Sequence, residues 1–307
     1  MSAPTLKYLE VPGPAPRGGG VRRLAWWDWP AQAGGDVSHV VVCVHGLSRQ
    51  GRDFDALASV LSLGMRVVCV DVAGRGRSDW LADPMAYQIP QYAADVAVLL
   101  QHLRQVEGAR AIDWVGTSMG GLIGLGLAAQ PGTDLRRLVL NDVGPAVRWE
   151  ALVRIGTYLG QDPVFDTQAQ ACDYLAGIST GFGPHTPEQW RGLSLPMLRA
   201  DGPRWRLHYD PAIAVPHRAL LGLGDEQGRA AAAAAEATLW SLYDGLRLPT
   251  LLLRGAESDL LTPETAQAMG ERGPRARLVS FAGVGHAPTL VACDQIEAVR
   301  AFLRDGP

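Results

Sequence analysis

The strongest constraint on this chain is a repeating order of short apolar runs and helical stretches. Five runs rich in Val and Leu lie at 40–44, 66–71, 111–116, 135–141 and 248–254, and each ends in Gly, Asp or a turn. Runs that are apolar on both faces suit the strands of a parallel sheet covered on both sides. A further run at 277–281 reads as a sixth strand. Helical patterns lie between them or follow, at 54–61, 90–106, 119–130, 263–271 and 293–303. Strand–helix alternation of this kind predicts an α/β fold: a mostly parallel central sheet flanked by helices, joined by right-handed crossovers. Two earlier segments, near 6–11 and 21–29, read as additional strands running antiparallel.

The alternation breaks once. From 144 to 216 the chain reads as helical without intervening strands, at 149–159, 167–178 and 187–199, followed by an irregular Pro-containing stretch from 204. This predicts a small helical insertion, a cap at 144–216, set into a core made of 1–143 and 217–307. The Ala-rich run 229–242 is a strong helix by propensity and marks the return to the core. The Gly/Pro-rich segment 11–20 reads as a surface turn or loose arm.

Composition narrows the classes. With 47% hydrophobic and 19% charged residues the chain is globular rather than disordered. A formal charge of -3 and the lack of a polybasic run argue against nucleic-acid or membrane-surface partners. The N-terminus has neither a basic stretch nor an apolar core, and no run reaches the roughly 18 apolar residues of a spanning helix. A cytoplasmic location is therefore expected. The four cysteines, Cys43, Cys69, Cys172 and Cys293, form no C-x-x-C pair and read as free thiols. The histidines show no zinc-like spacing with carboxylates, so no metal and no cofactor are expected.

The chemical signal is Gly116-Thr117-Ser118-Met119-Gly120-Gly121, which follows one apolar run and opens a helical one. A serine on a tight strand-to-helix turn is held in a strained backbone conformation with its hydroxyl presented outward. Small residues on either side let strand and helix approach, and the helix N-terminus behind it favours developing negative charge. That is the context a nucleophile elbow requires.

With these residues the chain resembles the α/β-hydrolase family over nearly its whole length, and five segments match in the family's order. Val44-His45-Gly46-Leu47 is similar to the family's oxyanion loop, and Asp71 to Asp79 to the turn after the next strand. The elbow at Ser118 is the third. Arg254-Gly255-Ala256-Glu257-Ser258-Asp259 is similar to the acid-bearing loop, and Gly283-Val284-Gly285-His286 to the loop carrying the histidine. The resemblance implies the α/β-hydrolase fold with a helical cap inserted after the sixth strand.

Roles follow from chemistry. A neutral serine hydroxyl is a poor nucleophile and needs a base within hydrogen-bond reach, the role expected of His286. The imidazole in turn needs a carboxylate to fix its tautomer. Asp259 is the first candidate, because the order Ser118, Asp259, His286 is the family's order. Asp142, at the end of the run 135–141, is a second candidate whose expected work is structural, bonding loop amides where the insertion begins. The backbone N–H of Met119 is one expected oxyanion donor, and by resemblance that of Leu47 is the other. His45 is expected to shape this loop and also, as a lesser role, to touch substrate; Arg49 and Gln50 border it. Arg75, Arg77, Ser78 and Asp79 read as a buried polar turn. Trp149, Tyr158, Trp190, Met197 and Leu198 offer the insertion an apolar lining, with Trp149 and Trp190 as substrate contacts.

The expected activity is carboxylic-ester hydrolysis through an acyl-enzyme on Ser118, acting on small-molecule esters of short to medium chain length. Members with an aspartate at the elbow cleave epoxides or carbon–halogen bonds, and Ser118 argues against both. Lactones, thioesters and carbon–carbon bonds remain open as substrates of the same triad, as does a ligand-sensing receptor with vestigial turnover.

Overall fold

The structure, a computed structural model, describes residues 3–13 and 20–304. Within the segment 11–20, expected to be a loose arm, residues 14–19 lie outside the described residues. The strands are β1 (Thr5–Pro12), β2 (Val21–Trp29), β3 (Asp36–Val44), β4 (Met65–Asp71), β5 (Ala111–Thr117), β6 (Arg137–Asn141), β7 (Val164–Phe165), β8 (Leu198–Asp201), β9 (Arg204–Leu207), β10 (Thr250–Gly255) and β11 (Arg277–Phe281). The helices are α1 (Asp55–Leu61), α2 (Ile89–Gln105), α3 (Met119–Ala128), α4 (Trp149–Gly156), α5 (Gln168–Ile178), α6 (Pro187–Ser194), α7 (Val215–Leu221), α8 (Asp225–Gly245), α9 (Pro263–Glu271) and α10 (Cys293–Arg304).

Eight strands form one sheet in the order β1-β2-β4-β3-β5-β6-β10-β11. The six from β4 to β11 run parallel, and β2 joins β4 antiparallel, with β1 antiparallel to β2. The reason for a two-faced sheet is legible in β3. Val40, Val42 and Val44 pack under α2 and α3, while Val41 and Cys43 pack with Phe54, Leu57 and Phe302 on the other face. All five are fully buried, which explains the continuous apolar run rather than an alternating one. From β3 the chain goes first to β4 on one side and then, through α2, to β5 on the other. That reversal opens a crevice beyond the carboxyl ends of β3 and β5, where ligands bind in sheets of this type.

Between β6 and β10 the chain leaves the sheet. This insertion is not wholly helical: β7, β9 and β8 form a small antiparallel sheet, with Asp201 paired to Arg204 across a tight turn. The helix expected over 187–199 stops at Ser194, because Pro196 follows and the chain then extends into β8. The expected boundary at 216 falls inside α7. That helix packs on α4, with His217 Nε2 2.8 Å from the Leu152 carbonyl and Leu221 pressed against Gly156. Among the described residues no helix is long and apolar enough to cross a membrane.

Candidate active site

Register sets the site. Val44 pairs with Gly116, Gly116 with Leu140, and Asn141 with both Thr117 and Leu253, so the carboxyl ends of β3, β5, β6 and β10 lie level. Each chain segment that leaves those ends supplies one group.

Ser118 sits between β5 and α3 with φ 51° and ψ -116°, a conformation in which a non-glycine residue is strained. Packing enforces it. A Cβ at Gly120 would lie 2.0 Å from the Val44 carbonyl oxygen, and one at Gly116 2.3 Å from the Gly120 oxygen. The elbow can close only with glycine at both positions. The Ser118 N–H donates to the Asn141 carbonyl at 2.9 Å, which ties the elbow to β6.

His286 reaches this serine from the loop after β11, its Nε2 3.0 Å from Ser118 Oγ. Its Nδ1 lies 2.7 Å from Asp142 Oδ2. With the carboxylate as acceptor, Nδ1 is the donor of that contact and Nε2 faces the serine hydroxyl. Asp142 is wholly buried, with φ 57° on the residue directly after β6. The Gly255 N–H donates to its Oδ1 at 2.9 Å and the Ser258 hydroxyl to its Oδ2 at 2.6 Å. The histidine loop is held on two sides. The Asn141 side-chain amide donates to the Pro288 carbonyl at 2.8 Å, and the Gly285 N–H donates to the Gly181 carbonyl of the insertion at 2.7 Å.

The expectation that Asp259 faces His286 is corrected. Its carboxylate is gripped by Arg154 of α4, at 2.6 Å from Nε and 2.9 Å from Nη2. The loop after β10 turns back at Ser258, whose N–H donates to the Gly255 carbonyl, and this throws Asp259 outward to the rim. Asp142 instead does both things considered for it, holding loop groups and contacting the histidine.

Leu47 lies in the wall of the cavity that also contains Ser118, and Met119 is the first residue of α3. Arg75 braces both from behind. Fully buried, it donates from Nε to the Leu47 carbonyl at 2.9 Å and from Nη1 to the Tyr92 hydroxyl at 2.9 Å, while Nη2 lies 3.7 Å from Met119 Sδ. His45 is corrected to a purely internal role. It has no exposed surface, accepts the Val72 N–H at Nε2 (3.0 Å), and donates from Nδ1 to the Gly46 carbonyl at 2.7 Å. Burial pushes its imidazole down to about 3, so it stays neutral while it shapes the loop.

A cavity of about 320 Å³ lies over Ser118, between these loops and the insertion. Ile155, Tyr158 and Leu159, Leu175 and Ile178, and Phe182, Met197 and Leu207 give it an apolar roof. The expected linings Tyr158 and Met197 are there, but Trp149, Trp190 and Leu198 are not among the lining residues. Trp149 is 6% exposed, packs on Gly228 of α8 and donates to Asp225 at 3.3 Å. Trp190 stacks behind Phe182 and His185, supporting the wall rather than forming it. Sequence reasoning missed the Thr180–Phe182 turn, whose Gly181 abuts the His286 backbone; only its glycines hinted at a close approach. Among the described residues, no three His, Cys, Asp or Glu side chains gather as a metal ion would need.

Sheet order, elbow and cavity define a hydrolase of the α/β class. Residues 41–299 match the model of the alpha/beta hydrolase family, and the chain belongs to that family. It is 46% identical over 309 residues, covering 98% of this chain and 99% of the relative, to a 3-hydroxybutyrate-oligomer hydrolase of Cupriavidus necator. An esterase of Mycobacterium tuberculosis is 27% identical over 99% of this chain and 94% of its own. Among solved structures, an alpha/beta hydrolase from Novosphingobium aromaticivorans superposes with a TM-score of 0.77 at 34% identity, covering 99% of both chains.

Proposed function

We propose that this protein hydrolyses the ester bonds of short 3-hydroxybutyrate oligomers through an acyl-enzyme on Ser118. The observation that carries the chemistry is the chain Ser118 Oγ, His286 and Asp142, joined at 3.0 and 2.7 Å beneath an apolar roof. The substrate class is supported by the 46% identity, end to end, with the 3-hydroxybutyrate-oligomer hydrolase.

Ser118 Oγ attacks the ester carbonyl as His286 Nε2 takes its proton. Asp142 holds the Nδ1–H and stabilises the imidazolium. The N–H groups of Leu47 and Met119 receive the oxyanion, a donor of this kind contributing about 3 kcal/mol to the barrier. The carbonyl–oxygen bond breaks, His286 returns the proton to the leaving alcohol, and water activated by the same imidazole releases the acid. The insertion, from residue 144 through α7, serves as the cap that excludes water and limits chain length. A bounded cavity favours short to medium esters over long acyl chains. We also propose the cytoplasm as its compartment, in keeping with the free thiols Cys43 and Cys69 buried in the sheet.

The test is incubation with a linear trimer of 3-hydroxybutyrate and chromatography of the products. Multiple turnovers to dimer and monomer are expected, and Ser118→Ala should lower kcat at least about 10³-fold. Unchanged turnover in that variant would overturn the mechanism. A single stalled adduct would favour a ligand-sensing role, and cleavage of simple esters but not of the trimer would withdraw the substrate class.

A further inference from the structure

We propose that Arg154 reads the free carboxylate of the substrate, and that Asp259 occupies Arg154 as an internal stand-in until substrate displaces it. This rests on the reading of the protein as an oligoester hydrolase. A linear oligomer of a hydroxy acid has one free carboxylate and one free hydroxyl. When an internal ester breaks, the acyl part transferred to Ser118 carries the hydroxyl end. The leaving alcohol, protonated by His286, carries the carboxylate. A cavity that accepts such a chain must therefore accommodate an anion on its leaving-group side.

Two arginines line the cavity, and they differ in what holds them. Arg49 grips Asp53 through Nε and Nη2 at 2.7 Å each, and Nη2 also donates to the Leu193 carbonyl at 2.8 Å. Those side chains are only 12% and 17% exposed, so Asp53 has nowhere to go. Arg154 and Asp259 are 44% and 47% exposed. A pair so open to water is held weakly against it. The Asp259 carboxylate has no other hydrogen-bond partner among the described residues, and on release it would simply hydrate. An incoming carboxylate has the same planar shape and can take over the same two guanidinium N–H groups. Tyr158 lies beside that guanidinium, also in the cavity wall.

The arrangement makes opposite predictions for the two partners. The measurement is kcat/KM for the free-acid trimer relative to its methyl ester, in the wild type and in three variants. Arg154→Gln should lower that ratio at least about tenfold, mainly through KM. Arg154→Lys should restore part of it, since charge remains but the fork is lost. Asp259→Asn keeps the shape but removes the competing charge, and should raise the ratio severalfold. An unchanged ratio in Arg154→Gln, or a fall in Asp259→Asn, overturns the proposal. If the wild type cleaves neither trimer, the oligoester reading fails by itself. The same ratio is then measured with 4-carboxyphenyl butyrate against 4-(methoxycarbonyl)phenyl butyrate, whose leaving groups do and do not carry the carboxylate; the same directions support the arginine's role and their absence refutes it.

Discussion

Asp142 and Asp259 stand beyond the ends of adjacent strands, one walled in and the other half in water. Asp142 directly follows β6, and its carboxylate collects the Gly255 N–H, the Ser258 hydroxyl and His286 Nδ1. Asp259 comes four residues after β10 ends, and only Arg154 of the insertion holds it. Strand end and residue type are alike. What differs is whether the chain turns inward at once or first makes a turn of its own. The loop after β10 serves the buried carboxylate through Gly255 and Ser258, and offers its own aspartate to the rim. A catalytic acid needs fixed geometry, which burial and several donors provide. A binding switch needs an exchangeable partner, which exposure provides.

The contrast is sharpened by removing the brace from the buried side. Ser258→Ala should lower kcat by about tenfold and stability by about 1 kcal/mol, since a buried acceptor loses one of its donors. Ser258→Thr, which keeps the hydroxyl, should recover much of the rate. A rate equal to wild type in Ser258→Ala, read with any simple ester, would mean that Asp142 does not depend on this loop.

A smaller effect compares core and insertion through their histidines. His45 is pushed down to about 3 and His208 of the insertion to about 4, both mainly by burial. Each is neutral in the fold yet takes up a proton below about 6.5 when unfolded. Their contribution is therefore present above pH 6.5 and lost as pH falls below it, each at a slope of at most about 1.4 kcal/mol per pH unit. Asp71, pushed up to about 6 by burial, works the other way, protonated in the fold while ionised in the unfolded chain between about 4 and 6. It offsets one histidine. Unfolding midpoints measured from pH 7 to 5 should fall in the wild type and fall less steeply in His208→Gln. Parallel curves would place His208 in water.

Most of the core was legible because both faces of its strands are buried. Continuous runs such as 40–44 and 66–71 can hardly be anything but central strands; the glycine-flanked turn after 111–116 pointed to Ser118, and the resemblance of 283–286 to the family's histidine loop pointed to His286. The choice between two aspartates was not legible. Sequence order does not tell how a loop turns, and the chain order Ser118, Asp142, His286 is as regular as the one with Asp259. The hairpin of β8 and β9 was missed although Asp201-Gly202 is a turn signal, with Gly202 at φ 60°. Its strands are only four residues long and rich in arginine, so the apolar pattern was too weak to see. Trp149 and Trp190 misled because size was taken for position: large aromatic side chains pack the insertion together, and smaller Ile, Leu and Tyr groups face the cavity.

The central claim is that the buried aspartate, not the one at the rim, works with His286. It is tested most directly by kcat of Asp142→Asn and Asp259→Asn measured side by side on a neutral chromogenic ester, with circular dichroism to confirm that both are folded. The account predicts a loss of about 10³ to 10⁴-fold in Asp142→Asn, where the imidazole loses its orienting carboxylate, and less than about tenfold in Asp259→Asn. The reverse ranking would contradict it.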